Sequence, residues 1–112
     1  MQKKTLREVC NMVGVTRRMI QGYEKMGLVA SAGKNKYGYL LYDEENIEKI
    51  KMIRQYQDFG FSLKEIKGLL VVSEEMYLNM MNERLIKMRE KLIELEANIN
   101  VAEKLVQERC KR

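Results

Sequence analysis

The sequence predicts a mainly α-helical protein with one small β-hairpin set among its helices. Three observations predict it. Helix start and stop residues are dense along the 112 residues, and there is no proline. The stretch "LVASAGKNKYGYLLY", residues 28–42, breaks the helical pattern with glycines and lysines and closes on aromatic and aliphatic residues, as a hairpin does. From residue 74 to 110 no breaker occurs, and apolar residues recur at alternating steps of three and four.

The elements follow in order. "TLRE", Thr5 to Glu8, reads as a capping box that starts a first helix at Leu6, running to about Met12 with Gly14 behind it. Thr16 caps a second helix, and Gly27 stops it. Two short helices around a tight turn outline a helix-turn-helix. The hairpin is expected to pair strands near Leu28–Val29 and Tyr39–Leu41, with a basic tip at Lys34, Asn35 and Lys36. Asp43 caps a third helix, "EENIEKIKMIRQYQDF", which Gly60 ends. Ser62 and Glu65 form another capping box, with Phe61 and Ile66 at the staple positions, and open a fourth helix from Leu63 to about Leu70. Ser73, followed by Glu74 and Glu75, starts the fifth, where acidic residues suit the helix dipole.

That fifth helix carries a narrow apolar stripe: Leu78, Met81, Leu85, Met88, Leu92, Leu95, Ile99, Ala102 and Val106. At 1.5 Å per residue the stripe is roughly 43 Å long. Such a seam suits one partner helix, and the simplest partner is the same helix of a second chain, so a homodimer is expected. The flanking residues Arg84, Lys91 and Asn98, and Arg89, Glu96 and Glu103, leave the relative strand direction open by inspection. Two domains are expected: a head with the helix-turn-helix and the hairpin over residues 1–71, and a coiled-coil dimerisation helix over 73–112.

Composition narrows the function. Hydrophobic residues make up 46% and charged residues 33%, which fits a folded protein rather than a disordered one. Of the net charge of +5, all the excess lies early. Residues 1–42 hold Lys3, Lys4, Arg7, Arg17, Arg18, Lys25, Lys34 and Lys36 against Glu8 and Glu24 alone. A basic patch of this kind is the electrostatic footprint of a polyanion. No apolar run is long enough for a membrane span, and "MQKKTLREV" lacks the apolar stretch of a signal peptide. Cys10 and Cys110 form no disulfide framework, so a cytoplasmic protein is expected.

No catalytic constellation is visible, so an enzyme is not expected: histidine is absent, and there is no glycine-rich phosphate loop. No cofactor and no metal site are expected. Met76, Met80 and Met81 cluster at helical spacing, which reads as apolar packing, as Cys10 does beside Val9 and Met12.

The order of parts resembles the MerR family of bacterial transcription regulators. "TLREVCNMVGVTRRMIQGYEKMGLV" is similar to the family's first two helices, and "KYGYLLYDEENIEKIKMIRQYQDFGFSLKEIKGLL" to its wing and second helix pair. "FGFSLKEIKGLL" is the most specific stretch. The resemblance implies a dimer joined by an antiparallel coiled coil, a second helix in the DNA major groove and a wing on the backbone beside it. It also implies distortion of a promoter spacer and contact with RNA polymerase. The chain would be a short member without a separate effector domain.

The sequence also departs from the family pattern. Gln21, Gly22 and Tyr23 precede Glu24 where the family usually has Arg-Tyr-Tyr, and Leu40 follows Gly38 and Tyr39 where it usually has arginine. Arg17, Arg18, Lys25, Lys34 and Lys36 can compensate.

The expected DNA-contacting residues are Thr16, Arg17, Arg18, Gln21, Tyr23, Lys25, Lys34, Lys36, Tyr37 and Tyr39. Arginines in the first turn of a recognition helix reach guanine edges or phosphate, and one of Arg17 and Arg18 is expected to do each. Gln21 shares a face with Arg17 and can bond adenine or phosphate. Tyr23 is expected on a phosphate, with core packing as the alternative, and Tyr39 on a phosphate or within the hairpin. Gly22 leaves the centre of the second helix bare, which suits a close approach by DNA or by another part of the protein, or else merely weakens the helix there. The reading is a homodimeric, sequence-specific regulator on a pseudo-palindromic operator. The alternatives are a protein-protein interaction module or a non-specific architectural DNA-binding protein.

Overall fold

The computed structural model describes residues 3–111, which divide into two compact units, one through Val72 and one from Ser73. The first unit opens with β1 (Lys4–Thr5), α1 (Leu6–Val13) and α2 (Arg17–Lys25). Then come β2 (Gly33–Lys34), β3 (Leu40–Tyr42), α3 (Glu44–Asp58) and α4 (Leu63–Leu69). The second unit is α5 (Glu74–Cys110), 37 residues long.

The caps foreseen in the sequence are formed. Thr5, Thr16, Asp43, Ser62 and Ser73 each turn a side-chain oxygen to the backbone N–H three residues on. Such a cap is worth about 1 kcal/mol, and short helices depend on it. At Thr5 the box is reciprocal: the Glu8 carboxylate accepts from the Thr5 N–H at 3.0 Å, and these bonds hold its pKa below the usual value. Gly14 ends α1 with φ +75°, a left-handed conformation that any side chain would strain.

The core of the first unit draws on every helix. Val9, Ile20, Tyr23, Ile50, Ile53 and Ile66 are fully enclosed, joined by Tyr42 from β3. Each such side chain contributes about 1.5–3 kcal/mol of transfer free energy. Tyr56 meets Phe59 and Phe61 edge-on, at ring separations of 6.2 and 6.1 Å.

The sheet differs from the expected two-stranded hairpin. It has three antiparallel strands in the order β1-β3-β2. Lys4 pairs with Tyr42 and Thr5 with Leu41, while Gly33 pairs with Leu41 and Lys34 with Leu40. The first hairpin strand is therefore Gly33–Lys34, not Leu28–Val29. Leu28 N–H bonds the Tyr23 carbonyl to close α2, and the chain first meets β3 at Ala32, whose N–H bonds the Leu41 carbonyl at 2.7 Å.

In the second unit no residue of α5 is buried. Leu78, Leu85, Leu92, Leu95, Ile99 and Val106 of the stripe are all exposed. A seam of large apolar side chains left in water is the mark of a surface that a partner covers.

Candidate nucleic-acid interface

The candidate interface lies on α2 and the wing. The entry into α2 is fixed by Thr16, whose hydroxyl oxygen accepts from Met19 N–H at 3.1 Å. Its own hydroxyl proton is not used by a described hydrogen bond. Arg17, Arg18 and Gln21 then follow on the outer surface, all exposed, and Lys25 lies exposed in the last turn. No described salt bridge engages Arg17, Arg18 or Lys25. Two unpaired arginines at the positive end of a helix oppose its dipole, which an anion there would offset.

Tyr23 is a correction. It is fully buried, and its hydroxyl donates to Gln57 Oε1 at 2.6 Å. A side chain so enclosed has no surface for a phosphate, and burial raises its phenol pKa, with Asp58 adding to the rise against Arg54. The next residue, Glu24, accepts a hydrogen bond from the Tyr42 hydroxyl. Tyr23 thus ties α2 to α3, and Glu24 ties it to β3. A third bond fixes the turn before α2: Arg54 donates from Nη1 to the Gly14 carbonyl at 2.5 Å and from Nε to Asp58 at 3.2 Å. Three bonds from the core side therefore set the pose of the helix whose outer side carries Arg17, Arg18 and Gln21.

These three supports escaped sequence reasoning. Each joins positions far apart in the chain, Tyr23 with Gln57, Glu24 with Tyr42 and Gly14 with Arg54, which no local pattern pairs. Gly22 faces Leu63 of α4, with room left for a methyl group, so no close approach requires a glycine there. A Cβ there would lie 3.7 Å from Leu63 Cδ1, an ordinary contact.

The wing tip is organised by Asn35, whose side-chain oxygen accepts from Tyr37 N–H at 2.9 Å and Tyr39 N–H at 3.0 Å. Gly38, at φ +82°, closes the turn onto the Asn35 carbonyl. This arrangement presents Tyr37 and Tyr39 outward, 70% and 64% exposed, with ring centres 6.4 Å apart. Lys36 Nζ lies 5.1 Å from the Tyr37 ring centre, and Lys34 and Lys36 are exposed. Cations and flat rings on a rigid turn suit a sugar-phosphate backbone.

Among the described residues there is no group of three or more His, Cys, Asp or Glu placed to hold a metal, and no helix is long and apolar enough to cross a membrane.

A capped recognition helix held from behind and flanked by a basic wing defines a winged helix-turn-helix DNA-binding protein. The chain belongs to the MerR family of helix-turn-helix regulatory proteins, whose family description matches residues 4–71, with the MerR DNA-binding description matching 47–108. It is a DNA-binding transcription regulator of that family. An uncharacterized HTH-type transcriptional regulator from Synechocystis sp. is 32% identical over 101 residues, covering 90% of this chain and 73% of the relative. Heavy metal-dependent transcription regulator 1 from Rhizobium meliloti is 32% identical over 92 residues, covering 82% of this chain and 62% of the relative.

Two solved structures extend the likeness in fold. HiNmlR, a MerR family regulator lacking the sensor domain and bound to promoter DNA, matches with a TM-score of 0.73 at 18% identity, covering 94% of this chain and 88% of that one. The N-terminus of MtaN, the Bacillus subtilis multidrug transporter activator, matches with a TM-score of 0.65 at 26% identity, covering 88% and 95%.

Proposed function

We propose that the chain acts as a homodimer that binds a pseudo-palindromic operator and distorts the promoter around it so that RNA polymerase can engage. The observation that carries the DNA-contact reading is the two-sided α2. Tyr23 and Glu24 lock its inner side, while Arg17, Arg18 and Gln21 stand exposed and unpaired beside a basic wing. The proposed contact set is Thr16, Arg17, Arg18, Gln21, Lys25, Lys34, Lys36, Tyr37 and Tyr39. Bending a site of this kind absorbs about 1–6 kcal/mol, which phosphate and base contacts must offset.

The dimer reading rests on the uncovered stripe of α5, and charge supplies its register. In an antiparallel pair, Leu92 set against the partner's Leu95 aligns the helices almost end to end. That register places Arg89 opposite the partner's Glu96, twice by symmetry, with no like charges facing. A slip of one heptad either way sets Arg89 against its own copy, or Glu96 against its own copy. A parallel pair sets Arg84 against the partner's Arg89, which offsets the attraction it gains between Lys91 and the partner's Glu96.

The test is binding of the purified chain to a mixed-sequence duplex as salt is varied, beside its sedimentation. The expected result is a dimer whose affinity falls steeply with salt, and a marked loss when Arg17 and Arg18 are both alanine. A chain that binds no duplex at any salt overturns the reading.

A further inference from the structure

A cleft in the first unit lies between the start of α1, the start of α2 and the wing. Its volume is about 420 Å³, and Leu6, Arg7, Arg17, Tyr39 and Leu40 line it with Thr5 and Gly38. Two features set it apart. Both arginines are exposed, and neither is engaged by a described salt bridge, so the cleft lining carries two uncompensated cations. Leu6, Tyr39 and Leu40 supply the apolar part of the lining. A small inorganic anion would satisfy the cations and leave that apolar surface wet. An acidic peptide would bring carboxylates, but not an apolar unit held between anions at one fixed repeat. A deoxyribose flanked by phosphates supplies both.

We infer that this cleft seats one stretch of DNA sugar-phosphate backbone, with Arg7 of α1 as a phosphate ligand beside Arg17 and a deoxyribose face against Leu6, Tyr39 and Leu40. The inference rests on the DNA-binding reading above and adds a contact from the first helix. Arg7 lies two residues past the Thr5 cap, and the capping box fixes the turn that carries it. The wing wall at Leu40 carries no charge, so α1 supplies the second cation that the wing does not. Seating a strand there also fixes the depth at which α2 meets the groove, because β3 carries Leu40 and is tied to α2 through the Tyr42–Glu24 bond.

The experiment compares the whole chain with Arg7→Gln and Arg7→Lys on a mixed-sequence duplex across a fourfold range of salt. Each phosphate contact removed makes the slope of log affinity against log salt shallower by about 0.9. Two copies of Arg7 in a dimer give about twice that, so the affinity lost over the fourfold rise shrinks by about tenfold in Arg7→Gln. Arg7→Lys keeps most of the slope. Leu40→Asp, which puts a carboxylate against the seated strand, weakens binding at low salt. Arg7 is exposed, so thermal unfolding of the variants should match the parent. A parental slope in Arg7→Gln overturns the cleft assignment and leaves the DNA-binding reading standing. A parent chain that holds no duplex overturns both.

Discussion

Neighbouring residues of α2 serve opposite sides of the helix, and substitutions can separate the two jobs. Tyr23 bonds Gln57 inside the core, so Tyr23→Phe should lower stability by about 0.5–1.5 kcal/mol, read from denaturant midpoints. It should leave the salt slope of DNA binding unchanged; a slope reduced by a phosphate contact's worth would show the hydroxyl on DNA instead. Gly22→Ala should stabilise the chain by about 0.5–1 kcal/mol, because the helix gains a better former and the added methyl meets Leu63 at contact distance. A destabilised Gly22→Ala would mean that α4 sits closer than the structure shows. The direction of Tyr23 was hidden in the sequence for a plain reason. A tyrosine has one apolar body and one polar end, and only a tertiary partner decides which end is served.

At the scale of elements, the Glu24–Tyr42 bond joins the recognition helix to the wing strand, and it makes the head sensitive to alkali. Burial, and then the hydrogen bond to Glu24, raise the Tyr42 phenol well above its ordinary value of 10.0. The folded state therefore keeps this proton after the unfolded chain has lost it. Its contribution is complete below pH 10.0 and falls as pH rises above that value. Thermal midpoints measured from neutral pH upward should drop in that range, and Tyr42→Phe should flatten the drop. An equal drop in Tyr42→Phe would place the sensitivity elsewhere.

Helices were legible from the sequence because their signals are local: a cap, three residues, an acidic partner. The strands were less so. β1 and β2 are two residues each, too short to show a period, and they exist because β3 offers edges on both sides. The glycine-rich stretch located the hairpin, while the partner of Leu41 depended on where Val29 had to go to fill the core.

For the whole molecule, the proposed dimer has to hold two heads at a fixed spacing. An exposed heptad stripe on a 37-residue helix predicts pairing, and the Arg89–Glu96 arrangement predicts its register. Arg89→Glu should weaken the dimer by placing carboxylates together, and Arg89→Glu combined with Glu96→Arg should restore it. Sedimentation at low and high salt reads both; a double variant no better than the single one would reject that register.

The central claim, a dimer that reads an operator through α2 and the wing, is tested most directly by selection from randomised duplex DNA followed by sequencing. The account predicts enrichment of an inverted repeat whose half-sites sit whole helical turns apart, lost when Arg17 and Arg18 are both replaced. Recovery of duplexes with no shared motif, or of a single unrepeated site, would contradict it.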